Sequence, residues 1–342
     1  MTSIAALIDE KKIPDLDKET KEAYAIAKPW LDLVEKRIAQ SVKCEAEKLT
    51  AISDYLFHLG GKRVRPVLGI LVAKLFGVTE PTEDLINAGA GVELIHMATL
   101  LHDDIIDKSL KRRHQQSPFS KYGLSSTLLA GDFLLVRAFG LCAQLDKTVI
   151  NKTEKACVYL TEGEELEGII ADGRHVTMRQ YENVIAKKTA SLFELCCGVG
   201  AYLANADAQA VRHMEQFGRY LGLAFQVIDD ILDITADESV LGKPAGTDLK
   251  QKTPSIINIL WLESGAHVAK EFFAQAEPSA SSVTFAIQSI KQAGIIEQAR
   301  EIAMHYSEKT QTSLNECAPY IVDKDIARQL SAVVAFTLTR CL

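Results

Sequence analysis

Residues 82–108 read TEDLINAGAGVELIHMATLLHDDIIDK, and a second stretch, 208–236, reads AQAVRHMEQFGRYLGLAFQVIDDILDITA. In both, apolar residues recur at helical spacing. Each run ends in the same acidic pattern, Asp103-Asp104-Ile105-Ile106-Asp107 in the first and Asp229-Asp230-Ile231-Leu232-Asp233 in the second. Residues three and four apart on a helix share a face, so each copy is expected to present three carboxylates to one point. Six such groups converging without cations repel strongly; one pair 4 Å apart costs roughly 4 kcal/mol at an effective dielectric near 20. Divalent metal is the natural remedy, and all-oxygen ligation suits Mg²⁺ bound through substrate phosphates. The pattern therefore points to diphosphate chemistry. A lone DDxxD would fit a solvated helix end equally well. Two matching copies behind apolar helices, flanked by the polar His102 and Gln226, argue for a site.

Helical periodicity continues on both sides. Residues 18–40 and 42–58 read as amphipathic helices ending at Gly60-Gly61, and Pro66 suits the first turn of a helix running to about 76. Thr82 starts the long acidic-tipped helix, about 40 Å at 1.5 Å per residue. Further helices are expected at 124–146, 148–171, 178–205 and 208–236, then shorter ones over 253–341 broken by Gly265, Pro278 and Pro319. Nothing marks a domain boundary, and the Gly-, Pro-, Asp- and Lys-rich loop 237–253 reads as a lid. Residues 1–342 are thus expected to form one all-α domain, with 1–17 a poorly ordered N-terminal segment. The two aspartate-bearing helices, 126 residues apart in register (229 minus 103), suggest a pseudo-symmetric pair facing one cavity.

Composition narrows the function classes. With 47% hydrophobic and 24% charged residues, the 342-residue chain has ample material for a core. Its formal net charge of -7 argues against an extended nucleic-acid surface. Seven scattered cysteines without metal spacing fit a reducing, cytoplasmic compartment. The start, MTSIAALIDEKKIPDLDKE, lacks the pattern of a signal peptide, and Glu93 and Glu194 break the most apolar windows, so no membrane span is expected.

Cations surround the acidic patterns. Gly60-Gly61-Lys62-Arg63-Val64-Arg65-Pro66 places three beside a glycine turn and a helix start. Lys111-Arg112-Arg113 follows the first acidic cluster closely, Lys187-Lys188-Thr189 lies on a mostly apolar helix, and Lys243 and Lys252 bracket the expected lid. The chain thus offers two kinds of anion site, one acidic and metal-bridged, the other directly cationic. Two diphosphate substrates would explain both.

In order, GGKRVRP, IHMATLLHDDIIDKSLKRR, LAGDFLL, EGEELE, KKTASLFE, FQVIDDILD and GKPAGTDLKQKTP closely resemble the trans-polyprenyl diphosphate synthases, over about residues 45–260. The resemblance implies an isoprenoid-synthase helical bundle around a central cavity, three Mg²⁺ ions per site and a homodimer. It implies that Lys62, Arg65, His96 and Arg113 hold isopentenyl diphosphate. Arg112, Lys188, Thr189, Gln226 and Lys243 would hold the allylic diphosphate primer. Asp103, Asp107 and Asp229 would be the main metal ligands, with Asp104, Asp230 and Asp233 in support. Ionisation of the allylic diphosphate, attack by the isopentenyl double bond and loss of a proton to the released diphosphate would complete the reaction. Release of the product would bring at most peripheral contact with a membrane.

Three positions depart from the family pattern: His114 in place of Gly, Glu167 in place of Gln or Asp, and Gln251 in place of Gly. None removes a metal ligand or a cation, so altered rates or affinities are expected. Short-chain members place Phe or Tyr at the fifth and fourth positions before the first aspartate; here stand Ala98 and Thr99. This implies a medium or long product, unless Leu135, Phe139 or Ile95 closes the tunnel. A short-chain geranylgeranyl or farnesyl synthase is the alternative. A terpene cyclase, a head-to-head condensing enzyme or a silent regulatory subunit would lack the second aspartate cluster, its spacing or some cationic ligands, all of which are present.

Overall fold

The computed structural model describes residues 13–113, 115–171, 176–236 and 245–339. The chain is almost wholly helical, as the periodicity requires. Helices α1 (Ile13–Ser41), α2 (Glu47–His58) and α3 (Val64–Leu75) lead to α4 (Glu83–Ile106). A two-residue hairpin follows, β1 (Lys111–Arg112) pairing antiparallel with β2 (Gln115–Gln116). Then come α5 (Pro118–Tyr122), α6 (Leu124–Cys142), α7 (Lys147–Ala171) and α8 (Met178–Ile185). A π-helical turn, Ala186–Ala190, joins α8 to α9 (Ser191–Leu203), and α10 (Ala208–Thr235) carries the second acidic pattern. The C-terminal part comprises α11 (Thr247–Gln251), α12 (Ile256–Glu263), α13 (His267–Ala274), α14 (Ala280–Gln292), α15 (Ile295–Glu316) and α16 (Lys324–Thr339).

Local chemistry sets the element ends. The Thr82 hydroxyl accepts from the Leu85 amide at 3.2 Å, and Glu83 and Asp84 complement the positive end of α4. Asp207 caps α10 through the Gln209 amide at 2.7 Å, and Thr177 with Gln180 forms a reciprocal capping box on α8. The first helix begins at Ile13, inside the stretch expected to be irregular. The hairpin is absent from the expected helical plan, because two-residue strands are too short to show a period of two.

Helices α4 and α10 are the central pair. The first packs along α6, the second along α15, and α9 lies against both as well as against α3. Glycines let α9 and α10 approach closely: a Cβ at Gly218 would lie 2.2 Å from the Phe193 carbonyl oxygen, and one at Gly222 2.6 Å from Ala190 Cα. That approach holds the π turn beside the second acidic helix. Trp261, Phe193 and Phe217 are fully buried around this region, each contributing on the order of 1.5–3 kcal/mol by burial. Among the described residues α6 alone is long and apolar enough to cross a bilayer by length and composition, with a third of it buried; it carries Asp132 and Arg137 and packs along α4.

Candidate active site

The two acidic patterns end α4 and lie near the end of α10, and the π turn stands between them. Lys188, on that turn, pairs with Glu164 of α7 at 2.7 Å and with Glu167. Burial works against its charge, but Glu167, Asp103 and Glu164 together raise its affinity for the proton. The next residue, Thr189, donates to the Gln226 carbonyl oxygen at 2.6 Å, one turn before Asp230. Lys188 thus belongs to the first cluster and Thr189 to the second. A π turn inserts one residue into the helical ladder and is frequent at functional sites.

The six aspartates do not act alike. Asp103 is half-buried and its carboxyl is pushed up to about 7, by burial first, with Lys188 opposing and Glu164 adding to the rise. Asp107, at the helix end, is the more open of the two by surface area, yet its carboxyl is also raised, first by the crowding of the surrounding cleft and then by Glu164, with Lys188 opposing. Asp104, one residue on and therefore about 100° around the helix, is fully buried and holds the Arg112 guanidinium through Nε at 2.9 Å and Nη2 at 2.7 Å. The expectation that each copy presents three carboxylates to one point is corrected here: positions i and i+4 share a face, and i+1 does not. In the second copy Asp229 is half-buried, while Asp230 and Asp233 are buried. Asp230 accepts from Tyr181, Gln226 and the Ile256 amide, and burial pushes its carboxyl up to about 7 against those donors. Asp233 accepts the Asp248 amide at 3.1 Å.

A carboxyl such as Asp103, raised chiefly by burial, is one whose ionised form a cation would stabilise. Among the described residues no three His, Cys, Asp or Glu side chains form a preformed metal cage. Mg²⁺ is commonly held by one or two carboxylates with substrate phosphates and water completing the shell.

A second cationic group lies around the start of α3. Arg65 stacks on Phe193 with its guanidinium 4.8 Å from the ring centre, and burial lowers its proton affinity. His96 is held well below the usual histidine range, by burial and then by Arg65, Arg113, Arg112 and Arg63. Its imidazole thus lies among guanidinium groups that disfavour its protonation. Arg113 folds back over the glycine turn, where a Cβ at Gly61 would lie 3.1 Å from its Nη1. Lys62 is exposed at the rim. Arg63 differs from its neighbours: it is buried, in left-handed backbone conformation, and pairs with Glu93 at 2.8 Å and the Phe57 carbonyl at 3.0 Å. One of the three cations of GGKRVRP is thus a core element. Lys252 also turns elsewhere, to the carbonyls of Phe273 and Gln275. Lys243 and His114 lie outside the described residues.

A cavity of about 700 Å³ opens beside Asp103 and Lys188 and descends between α4, α6 and α7. Thr99 lines it, as do Leu135, Phe139, Cys157 and Val158. Ala98 does not: it is fully buried in the core, as is Ile95. Of the two expected chain-length positions, only Thr99 faces the cavity, again because adjacent residues point about 100° apart.

Several partners escaped the sequence reading. Tyr181 reads as core on an amphipathic helix, and nothing local signals its bond to Asp230. Glu164 sits in a run of glutamates where any one could be solvent-facing. Gly131 of LAGDFLL has a contact that spacing alone does not reveal: a Cβ there would fall 2.2 Å from His102 Nε2.

Comparison with known proteins agrees with this arrangement. The polyprenyl synthetase family model matches residues 46–290. A geranylgeranyl diphosphate synthase of Methanosarcina mazei is 31% identical over 79% of this chain and 84% of its own. An octaprenyl diphosphate synthase of Escherichia coli is 34% identical over 64% of this chain and 68% of its own. Among solved structures, a polyprenyl synthase from Caulobacter crescentus, complexed with calcium and isoprenyl diphosphate, superposes with a TM-score of 0.89 at 27% identity, covering 94% of this chain and 98% of that one. With an all-α bundle that presents two acidic helix ends around one cationic turn, the chain belongs to the polyprenyl synthetase family and is a prenyltransferase.

Proposed function

We propose that this prenyltransferase is a trans-polyprenyl diphosphate synthase that adds isopentenyl diphosphate to an allylic diphosphate primer by 1'-4 condensation. The observation that carries the reading is the π turn: Lys188 engages the first acidic cluster and Thr189 the second, through Gln226. A primer diphosphate seated there meets Arg112, Lys188, Thr189 and Gln226. Three Mg²⁺ ions, held by Asp103, Asp107 and Asp229, would supply charge neutralisation for the departing diphosphate. The separate group of Lys62, Arg65, His96 and Arg113 holds the isopentenyl diphosphate. A ring N–H of His96 can donate one hydrogen bond there. The carbon–oxygen bond of the primer breaks, the isopentenyl double bond attacks the cation, and a proton leaves to the released diphosphate. The protein's part is alignment, electrostatic stabilisation and exclusion of water.

The cavity below Asp103 takes the growing chain, and an open Thr99 supports a medium or long product. A geranylgeranyl product is the second reading, favoured by relatives of both product classes at similar identity. Exposed apolar residues along α6, among them Leu129 and Val136, support a homodimer. All six described cysteines are free thiols, which supports a cytoplasmic setting. The test is substitution of Asp103 and Asp229 by Ala. Each should lower condensation by several orders of magnitude with an unchanged circular-dichroism spectrum, and near-normal turnover in both would overturn the metal assignment.

A further inference from the structure

Asp230, which the family pattern offers to the metal, is already occupied. It is 5% exposed, and its two oxygens accept three donors. Oδ2 takes the Tyr181 hydroxyl at 2.8 Å and the Ile256 amide at 2.9 Å, and Oδ1 takes Gln226 Nε2 at 2.9 Å. Tyr181 is itself 2% exposed. A buried phenol needs a partner, whereas Phe would fill the same space without one, so the hydroxyl at this position has a purpose beyond packing.

The consequence falls on Gln226. Gln226 turns its amide nitrogen to Asp230 Oδ1 at 2.9 Å and its oxygen away, the orientation that an accepting carboxylate selects. That oxygen receives the Thr189 hydroxyl at 2.6 Å. With the amide so fixed, its second N–H, on a half-buried side chain beside the π turn, remains as a donor for an anion. The reverse orientation would set oxygen against oxygen at Asp230 and offer the anion a carbonyl. Resting on the function proposed above, we infer that Tyr181 is a positioning residue for the allylic-diphosphate subsite: through Asp230 it fixes the Gln226 amide and so the N–H which that amide offers to the diphosphate, leaving the isopentenyl subsite untouched. The chain links α8, α10, α12 and the π turn through one buried carboxylate, and no residue in it is part of the Arg65–His96–Arg113 group.

The experiment compares wild type, Tyr181→Phe, Gln226→Ala and the double variant, each full length. Calorimetry with Mg²⁺ measures binding of an unreactive thio-analogue of farnesyl diphosphate and, separately, of isopentenyl diphosphate; steady-state KM is taken for both substrates. Tyr181→Phe should weaken the allylic ligand about tenfold, the order of one hydrogen bond, and leave isopentenyl diphosphate within about twofold. In the Gln226→Ala background it should add almost nothing. Unchanged allylic binding, equal loss at both subsites, or additive effects would overturn the inference. Should Tyr181→Phe fail to fold, Asp230→Asn takes its place, and wild-type allylic binding by that variant would overturn it equally. A wild type that binds and elongates neither diphosphate overturns the proposed function and this inference with it; an active wild type with an unaffected Tyr181→Phe overturns only the latter.

Discussion

Substituting Phe at Thr99 should shorten the product, and substituting it at the neighbouring Ala98 should not. Thr99 lines the cavity four residues from Asp103, about 6 Å along α4 at 1.5 Å per residue. On the facing helix the lining runs from Glu164 at the mouth to Glu154, ten residues or about 15 Å. An isoprene unit spans on the order of one helical turn, about 5.4 Å. A phenyl ring at position 99 therefore closes the lower 9 Å or so of the path and removes about two units from the product. Ala98 is fully buried among core side chains. Phe there overpacks the bundle, at a cost of about 1–3 kcal/mol, seen as a lowered urea midpoint with product length unchanged in whatever folds. The assay is mass spectrometry of prenyl products made from isopentenyl diphosphate and a geranyl primer. An unchanged product from Thr99→Phe, or a shortened one from a stable Ala98→Phe, would refute the assignment of the wall.

Three other outcomes follow from the geometry. Arg63→Ala strands the buried Glu93 carboxylate and should destabilise by about 3–5 kcal/mol in urea unfolding; a loss under 1 kcal/mol would show the pair to be dispensable. Gly131→Ala would drive a methyl group into the His102 ring, displacing the residue next to Asp103, so kcat should fall at least tenfold; full activity would mean that His102 has room to move. Asp103 titrates near 7 when folded, against 3.8 for its unfolded value, so the folded state holds more protons between those values. This group therefore reduces stability as pH rises from about 4 to 7, and a bound cation must compete with its proton. Thermal stabilisation by Mg²⁺ with inorganic diphosphate should be larger at pH 8 than at pH 6, and the opposite order would contradict the raised carboxyl.

Much of the fold was legible because its helices are long and strongly patterned. Thr82 marked the start of α4, and Gly265, Pro278 and Pro319 marked breaks that the C-terminal helices respect. Candidate site residues defined by identity, such as Lys188, Thr189 and Gln226, were also within reach, since the motifs that hold them are continuous in sequence. Direction around a helix was harder. Asp103 and Asp104 look equivalent on paper, as do Ala98 and Thr99, yet one step of about 100° sends one side chain to the cleft and the other into the bundle. Arg63, Arg65 and Tyr181 show the same limit. Whether a cation serves a ligand or a buried glutamate, and whether an aromatic fills space or holds a carboxylate, depends on partners 30 to 50 residues away. The π turn had no local signature, because its extra residue is accommodated within an unbroken helical pattern.

If one polypeptide carries both diphosphate subsites and joins their ligands, it needs no second chain type for turnover. Purified protein alone, given Mg²⁺, radiolabelled isopentenyl diphosphate and a farnesyl or geranyl primer, tests it directly. Mg²⁺-dependent incorporation of label into an all-trans prenyl diphosphate longer than the primer, abolished by chelation, is the expected result. Folded protein that binds both diphosphates and incorporates no label would contradict it.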